Sequence, residues 1–186
     1  MPLQNRIETH QVVLTEGAIV ERLRRSGTPP LDPLIVHAAF VLSGEGQAAL
    51  AALYRQYLDI ALAAGLPMLN FTPTWRANPD RLAAVGLDVT NLNADCVRFL
   101  RGVQNEYPTL ANKLLLGGLM GCRGDAYRPE EGLTENEAAA FHRAQAAALA
   151  GAGADFLFGA TLPALPEATG MARAMSATGI PTSSAS

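Results

Sequence analysis

A chain of 186 residues that is 49% hydrophobic and 17% charged, with a formal net charge of −3, carries ample apolar surface for one packed core. Its dispersed lysines and arginines exclude a nucleic-acid footprint. No apolar run reaches the ~20 residues of a membrane-spanning helix, and Met1-Pro2-Leu3-Gln4-Asn5-Arg6 lacks the hydrophobic centre of a secretory leader, so a cytoplasmic protein is expected.

Gln11-Val12-Val13-Leu14-Thr15 is β-branched and apolar, and Glu16-Gly17 closes it as a strand entering a loop. Ala18-Ile19-Val20 leads into Arg22, Arg24 and Arg25, the wet face of a short helix. After an irregular stretch with Pro29, Pro30 and Pro33, Ala49, Leu50, Leu53, Tyr57, Ile60 and Ala61 recur at helical spacing, with Gly65 as the stop. Residues 67–72 read as a buried strand. A helix follows Asn91, with Ala94, Val97, Leu100 and Val103 on one face. Residues 113–118 form a third strand. Thr134 and Glu137 have the spacing of a capping box and open a helix to about Gly151. Residues 155–159 make a fourth strand, and Leu165 to Thr178 a last helix ending at Gly179.

Strands alternating with helices imply parallel βαβ units in a single domain. A doubly wound dinucleotide fold is the competing architecture, but no Gly-x-Gly-x-x-Gly follows the first strand and no Walker-type lysine loop occurs. The α/β fold expected is a parallel (β/α) barrel of TIM type. A complete one needs ~250 residues. The chain therefore reads as truncated to roughly its first four to five βα units, with 181–186 as a disordered polar tail.

In such folds chemistry sits at the C-terminal strand ends. Those ends read Thr15-Glu16-Gly17, Thr72-Pro73-Thr74-Trp75, Gly121-Cys122-Arg123-Gly124-Asp125-Ala126-Tyr127 and Ala160-Thr161-Leu162-Pro163. In order and spacing, from about Val12 to Pro181, they resemble the homocysteine S-methyltransferase family. The matching patterns there are an acid-Gly-Gly loop, Thr-Asn-Thr-Phe, Gly-Pro-x-Gly-Asp-x-Tyr and Glu-Thr. Leu133-Thr134, Glu137-Ala138, His142 and Gln145 add to the likeness.

The resemblance implies transfer of a methyl group to the thiolate of homocysteine, giving methionine, at a zinc held by three cysteine thiolates. It implies substrate contacts at Glu16, Gly17, Thr72, Thr74 and Thr161, with the first-loop acid on the ammonium group and backbone N–H groups on the carboxylate. The chain departs from the pattern at Ala160, where a second ammonium-binding glutamate stands in the family, at Cys122 in the proline place, and at Tyr54, where many members carry histidine.

The zinc cysteines of the family fall beyond Ser186, so no cofactor and no metal ligand is expected within this chain. Cys96 reads as a small helix-core side chain and Cys122 as a stray loop thiol. His37 and His142 read as surface or helix-packing residues, Asp125 and Tyr127 as organisers of the third loop, and Trp75 beside Arg76 as a pocket floor or a loop anchor. Family members continue past the Gly-x-Pro turn with an apolar strand resembling Pro-Tyr-Val-Ile-Ser-Phe. A one-base shift in a GC-rich coding string converts that into Pro-Thr-Ser-Ser-Ala-Ser, so a frameshifted ending stands beside a natural polar one. Two function classes follow. One is a truncated methyltransferase-family chain, inactive alone. The other is a non-catalytic small-molecule binding module, or a half-barrel that self-associates through its open sheet edges.

Overall fold

The computed structural model describes residues 10–27 and 29–185. Five strands form one sheet: β1 (Leu14–Thr15), β2 (Met68–Phe71), β3 (Leu114–Met120), β4 (Phe156–Ala160) and β5 (Thr182–Ala185). The helices are α1 (Ile19–Ser26), α2 (Gly44–Ala64), α3 (Pro79–Ala84), α4 (Val89–Asn105), α5 (Glu135–Gly151) and α6 (Leu165–Ser176). Strand order follows the sequence, and every pairing is parallel. That progression is the winding of a (β/α) barrel, whereas a doubly wound sheet reverses direction at a switch point.

Local chemistry sets the helix boundaries. Ser43 caps α2 by accepting from Gly46 N at 3.1 Å, and Gly65 ends it in the left-handed region at φ 66°. Asp88 caps α4, which starts at Val89 rather than after Asn91. Thr134 and Glu137 form the expected capping box on α5. The buried face of α2 runs through Leu50, Tyr54, Leu58 and Ala61, while Ile60, expected inside, is exposed. Tyr54 wins the inner position because its hydroxyl donates to the Phe71 carbonyl at 2.8 Å.

One face of the sheet, with Met68, Leu114, Leu116, Met120 and Leu157, is buried against α2, α4 and α5 in the main core. On the other face Phe71 meets Phe156 edge-on, with ring centroids 5.8 Å apart, across Gly117. A Cβ at Gly117 would sit 2.6 Å from the Phe156 ring.

Two expectations about strands are corrected. The first strand is paired only at Leu14–Thr15, not from Gln11. The ending expected as a disordered tail over 181–186 contains β5, with Leu157 opposite Thr182 and Ala160 opposite Ala185. The edge of β4 supplies the ladder partners for this polar segment, and ladder hydrogen bonds need no apolar side chain. Among the described residues no helix is long and apolar enough to cross a membrane.

Candidate functional site

A cavity of about 310 Å³ opens at the C-terminal ends of the strands. Its walls come from the loop after β1, the short 3₁₀ helix His37–Leu42, the ends of β2 and β3, and the residues where β4 stops. Glu16, Gly17, Thr72 and Thr161, four of the five residues anticipated from the sequence, line it together. Thr74 does not. It stands behind the wall, fully buried, with its hydroxyl donating to the Leu119 carbonyl at 2.6 Å and bonded to the Thr72 hydroxyl at 2.6 Å. Thr72 Oγ1 in turn accepts from Leu119 N at 3.0 Å, so this pair joins the end of β2 to β3.

Glu16 is the acid of the site. Burial pushes its carboxyl up to about 8, partly offset by a hydrogen bond from Asn70 Nδ2 at 3.1 Å and by the backbone N–H of Phe71. Without a cationic partner the group is therefore neutral near pH 7. Gly17 beside it lies against the Tyr57 hydroxyl, which would be 2.8 Å from a Cβ there and would have to move aside for a larger residue.

His37 lines the same cavity, only 3% exposed, and its Nδ1 has no hydrogen-bond partner. Burial pushes its pKa down to about 4, so the ring is neutral and holds one donor and one acceptor nitrogen. The sequence reading gave His37 a surface or helix-packing role, not a place in the pocket. The signal that places it in the pocket is the turn before it, where Asp32 Oδ1 accepts from Leu34 N and Ile35 N at 2.7 and 2.8 Å. Val36 then folds back on Asp32 with φ at 55°. Val36 and Thr161 are the two non-glycine residues at positive φ among those described, and both are at this cavity or next to a residue of it. For β-branched side chains that conformation costs of order 1–3 kcal/mol, and such strain gathers at binding sites.

Trp75 lines the cavity, and Arg76 stacks on its ring at 4.3 Å. Gly121, the first residue of the third loop, lies against Trp75, whose carbonyl oxygen would be 2.5 Å from a Cβ there. That loop is anchored by a residue the sequence reading did not single out. Glu167 of α6, fully buried, accepts from Arg123 N at 2.9 Å, Leu133 N at 3.2 Å and His142 Nε2 at 3.2 Å. His142 is thus a buried helix-packing partner, the second of the two roles the sequence left open, and not a surface residue. Asp125 orders its own turn by accepting from Tyr127 N at 3.0 Å, while the Tyr127 ring is 85% exposed.

The zinc that the resemblance implies requires thiolates or an equivalent donor set. Cys96 and Cys122 are buried, and burial raises both thiols above their ordinary range. Cys122 Sγ is bonded to the Gly124 carbonyl at 3.4 Å. Among the described residues no three His, Cys, Asp or Glu side chains form a group able to hold a metal ion. These residues do not fit zinc.

Comparison with known proteins agrees with this architecture. The homocysteine S-methyltransferase family model matches residues 13–184. The metallated form of the homocysteine methyltransferase MmuM from Escherichia coli superposes with a TM-score of 0.80 at 25% identity, covering 97% of this chain and 64% of that one. Its oxidized form gives 0.77 at 26% identity, over 95% and 62%. The apo form, at 23% identity, gives 0.69 over 100% and 64% and shares the fold. The chain thus spans less than two thirds of the length of these solved structures. No curated protein sequence matches it.

Proposed function

The chain belongs to the homocysteine S-methyltransferase family, and from that premise we propose that its strand-end cavity binds homocysteine through the amino-acid head group. Glu16 receives the ammonium group, and backbone N–H groups beside Gly17 receive the carboxylate. Thr72 and Thr161 shape the wall, and Thr74 holds Thr72 in place. The observation that carries this reading is a carboxyl, desolvated and held by Asn70, at the mouth of parallel strands. An arriving ammonium ion compensates the cost of ionising it.

The family chemistry is zinc-dependent methyl transfer to the homocysteine thiolate, giving methionine. The residues of this chain bind and orient the acceptor. Because its cysteines do not fit the metal, we assign it no transfer step alone. A small amino acid, not a nucleic acid or a membrane, is its ligand. Its free thiols suit the reducing cytoplasm.

Calorimetric titration with L-homocysteine from pH 6 to 9, with L-homoserine as the control for thiol ionisation, tests the binding reading. Affinity should rise by up to ~10-fold per pH unit until about pH 8, and Glu16→Gln should abolish the rise. No binding across that range, or an unchanged profile in Glu16→Gln, refutes it.

A second reading, a self-assembling binding module, is favoured by the sheet face that carries Phe71 and Phe158. Their rings lie 4.9 Å apart and only part-buried.

A further inference from the structure

Glu16 is not an isolated acid. Its Oε2 accepts from Asn70 Nδ2 at 3.1 Å, and Asn70 Oδ1 accepts from Gln104 Nε2 at 3.2 Å. Gln104 Oε1 accepts from Arg101 Nη1 at 3.0 Å. Arg101 is itself fixed, since its Nη2 donates to the Gly153 carbonyl at 3.0 Å and to Asp155 Oδ2 at 3.1 Å. Asp155 Oδ2 also accepts from Leu116 N at 2.7 Å. Asn70 is fully buried and Gln104 only 4% exposed, so both amides are largely withheld from water.

This chain of bonds has a direction. A guanidinium only donates. Gln104 must therefore turn its oxygen to Arg101 and its NH₂ to Asn70. Asn70 must then turn its oxygen to Gln104 and its NH₂ to Glu16. The orientation of an amide, ordinarily ambiguous between oxygen and nitrogen, is here dictated from the far end.

We infer that Arg101, Gln104 and Asn70 are positioning residues that set the proton position on Glu16, so that Oε2 is always an acceptor and the proton of the neutral acid sits on Oε1. Oε1 is then the oxygen that meets a ligand. An ammonium group binding there displaces one proton: R–NH₃⁺ plus the neutral acid gives the R–NH₃⁺ carboxylate pair and H⁺ to solvent. The inward N–H of Asn70 stabilises the carboxylate that remains. The functional weight of the arrangement rests on the reading of Glu16 as the ammonium ligand, but the arrangement is testable without any ligand.

The other ionisable groups near Glu16 are Tyr54, which interacts with it and whose hydroxyl is committed to the Phe71 carbonyl, Tyr57 of α2 beside Gly17, and His37 on the cavity wall. None of them bonds to Asn70 or Gln104.

The experiment is a ¹³C NMR titration of the Glu16 carboxyl in the ligand-free protein, assigned by its loss in Glu16→Gln. Wild type should titrate near pH 8. In Gln104→Glu the new side chain accepts from both Arg101 and Asn70. That turns the Asn70 oxygen onto Glu16, favours its protonated form, and moves the midpoint up by about 0.5 unit or more, about threefold in ionised fraction. Arg101→Met, at a half-buried position, frees both amides to turn and should also raise the midpoint, whereas Arg101→Lys, still a pure donor, should keep it. Repeating the series at about 1 M salt, where the Debye length is ~3 Å, screens charge effects that reach Glu16 through solvent and should leave the order intact.

Midpoints for Gln104→Glu and Arg101→Met that coincide with wild type overturn the inference. So does a rise that vanishes in salt. Should Gln104→Glu fail to fold, the Arg101→Met and Arg101→Lys pair decides. Absence of homocysteine binding would refute the proposed function while leaving this titration order standing, so the two failures are distinguishable.

Discussion

Replacing Glu167 by alanine should unseat the third strand-end loop and with it the support of the cavity wall. The carboxylate is fully buried and takes three hydrogen bonds, from Arg123 N, Leu133 N and His142 Nε2, at 2.9, 3.2 and 3.2 Å. Burial works to raise its pKa, but the bonds from His142 and from the backbone of Arg123 and Leu133 outweigh it and hold the group below the ordinary carboxylate range. Truncation removes the acceptor and leaves up to three donors unpaired. At about 1–3 kcal/mol for each orphaned donor, allowing for partial relaxation of the exposed Arg123, the loss is ~3–5 kcal/mol. With a urea slope of ~2 kcal/mol/M the denaturation midpoint should fall by about 1.5–2.5 M. Glu167→Gln keeps one acceptor oxygen and should lose roughly half as much. The folded pKa is depressed, so the carboxylate's contribution is present above its unfolded pKa and lost as pH falls through the folded one. Glu167→Gln should therefore flatten the acid limb of the stability curve. A Glu167→Ala protein within about 1 kcal/mol of wild type by urea denaturation at pH 7 would refute the reasoning, because it would mean the loop does not depend on this anchor.

Gly170→Ala should cost about 1–3 kcal/mol by thermal or urea unfolding. A Cβ there would lie 2.2 Å from the Glu135 carbonyl and 2.5 Å from the Ala138 Cβ, so α5 and α6 must part. Glu16 and His37 should give opposite pH slopes, measured as urea midpoints from pH 4 to 8.5. The raised Glu16 pKa makes the folded state bind the extra proton between about 4.5 and 8, so stability declines as pH rises through that window and Glu16→Gln removes the decline. The lowered His37 pKa makes the unfolded chain bind the extra proton between about 4 and 6.5, so stability is lost as pH falls there and His37→Gln removes that loss. Sedimentation velocity should find self-association that Phe158→Lys reduces; a clean monomer at all concentrations refutes that prediction.

What could be read from the sequence was whatever neighbouring residues determine among themselves. The capping box at Thr134 and Glu137, the stop at Gly65 and the alternation of apolar runs with helical periods are short-range relations, and each reappears in the structure. So does the winding of the sheet, because strand–helix–strand units of this length close only in parallel. The motifs at the strand ends likewise brought Glu16, Gly17, Thr72 and Thr161 to one cavity. Tertiary structure alone decided the rest. The pKa of Glu16 depends on desolvation and on Asn70, 54 residues away, whose amide is in turn oriented through Gln104, 34 residues further on. His37 becomes a pocket residue only because a strained turn at Val36 carries it there, and Glu167 becomes a loop anchor only once α6 packs beneath Arg123 and Leu133. The polar ending pairs as β5 because the edge of β4 is there to receive it. For Glu16, Asn70 and Glu167 the deciding term is the removal of water from a polar group, which depends on what the rest of the chain brings over it and has no signature in the residues alongside.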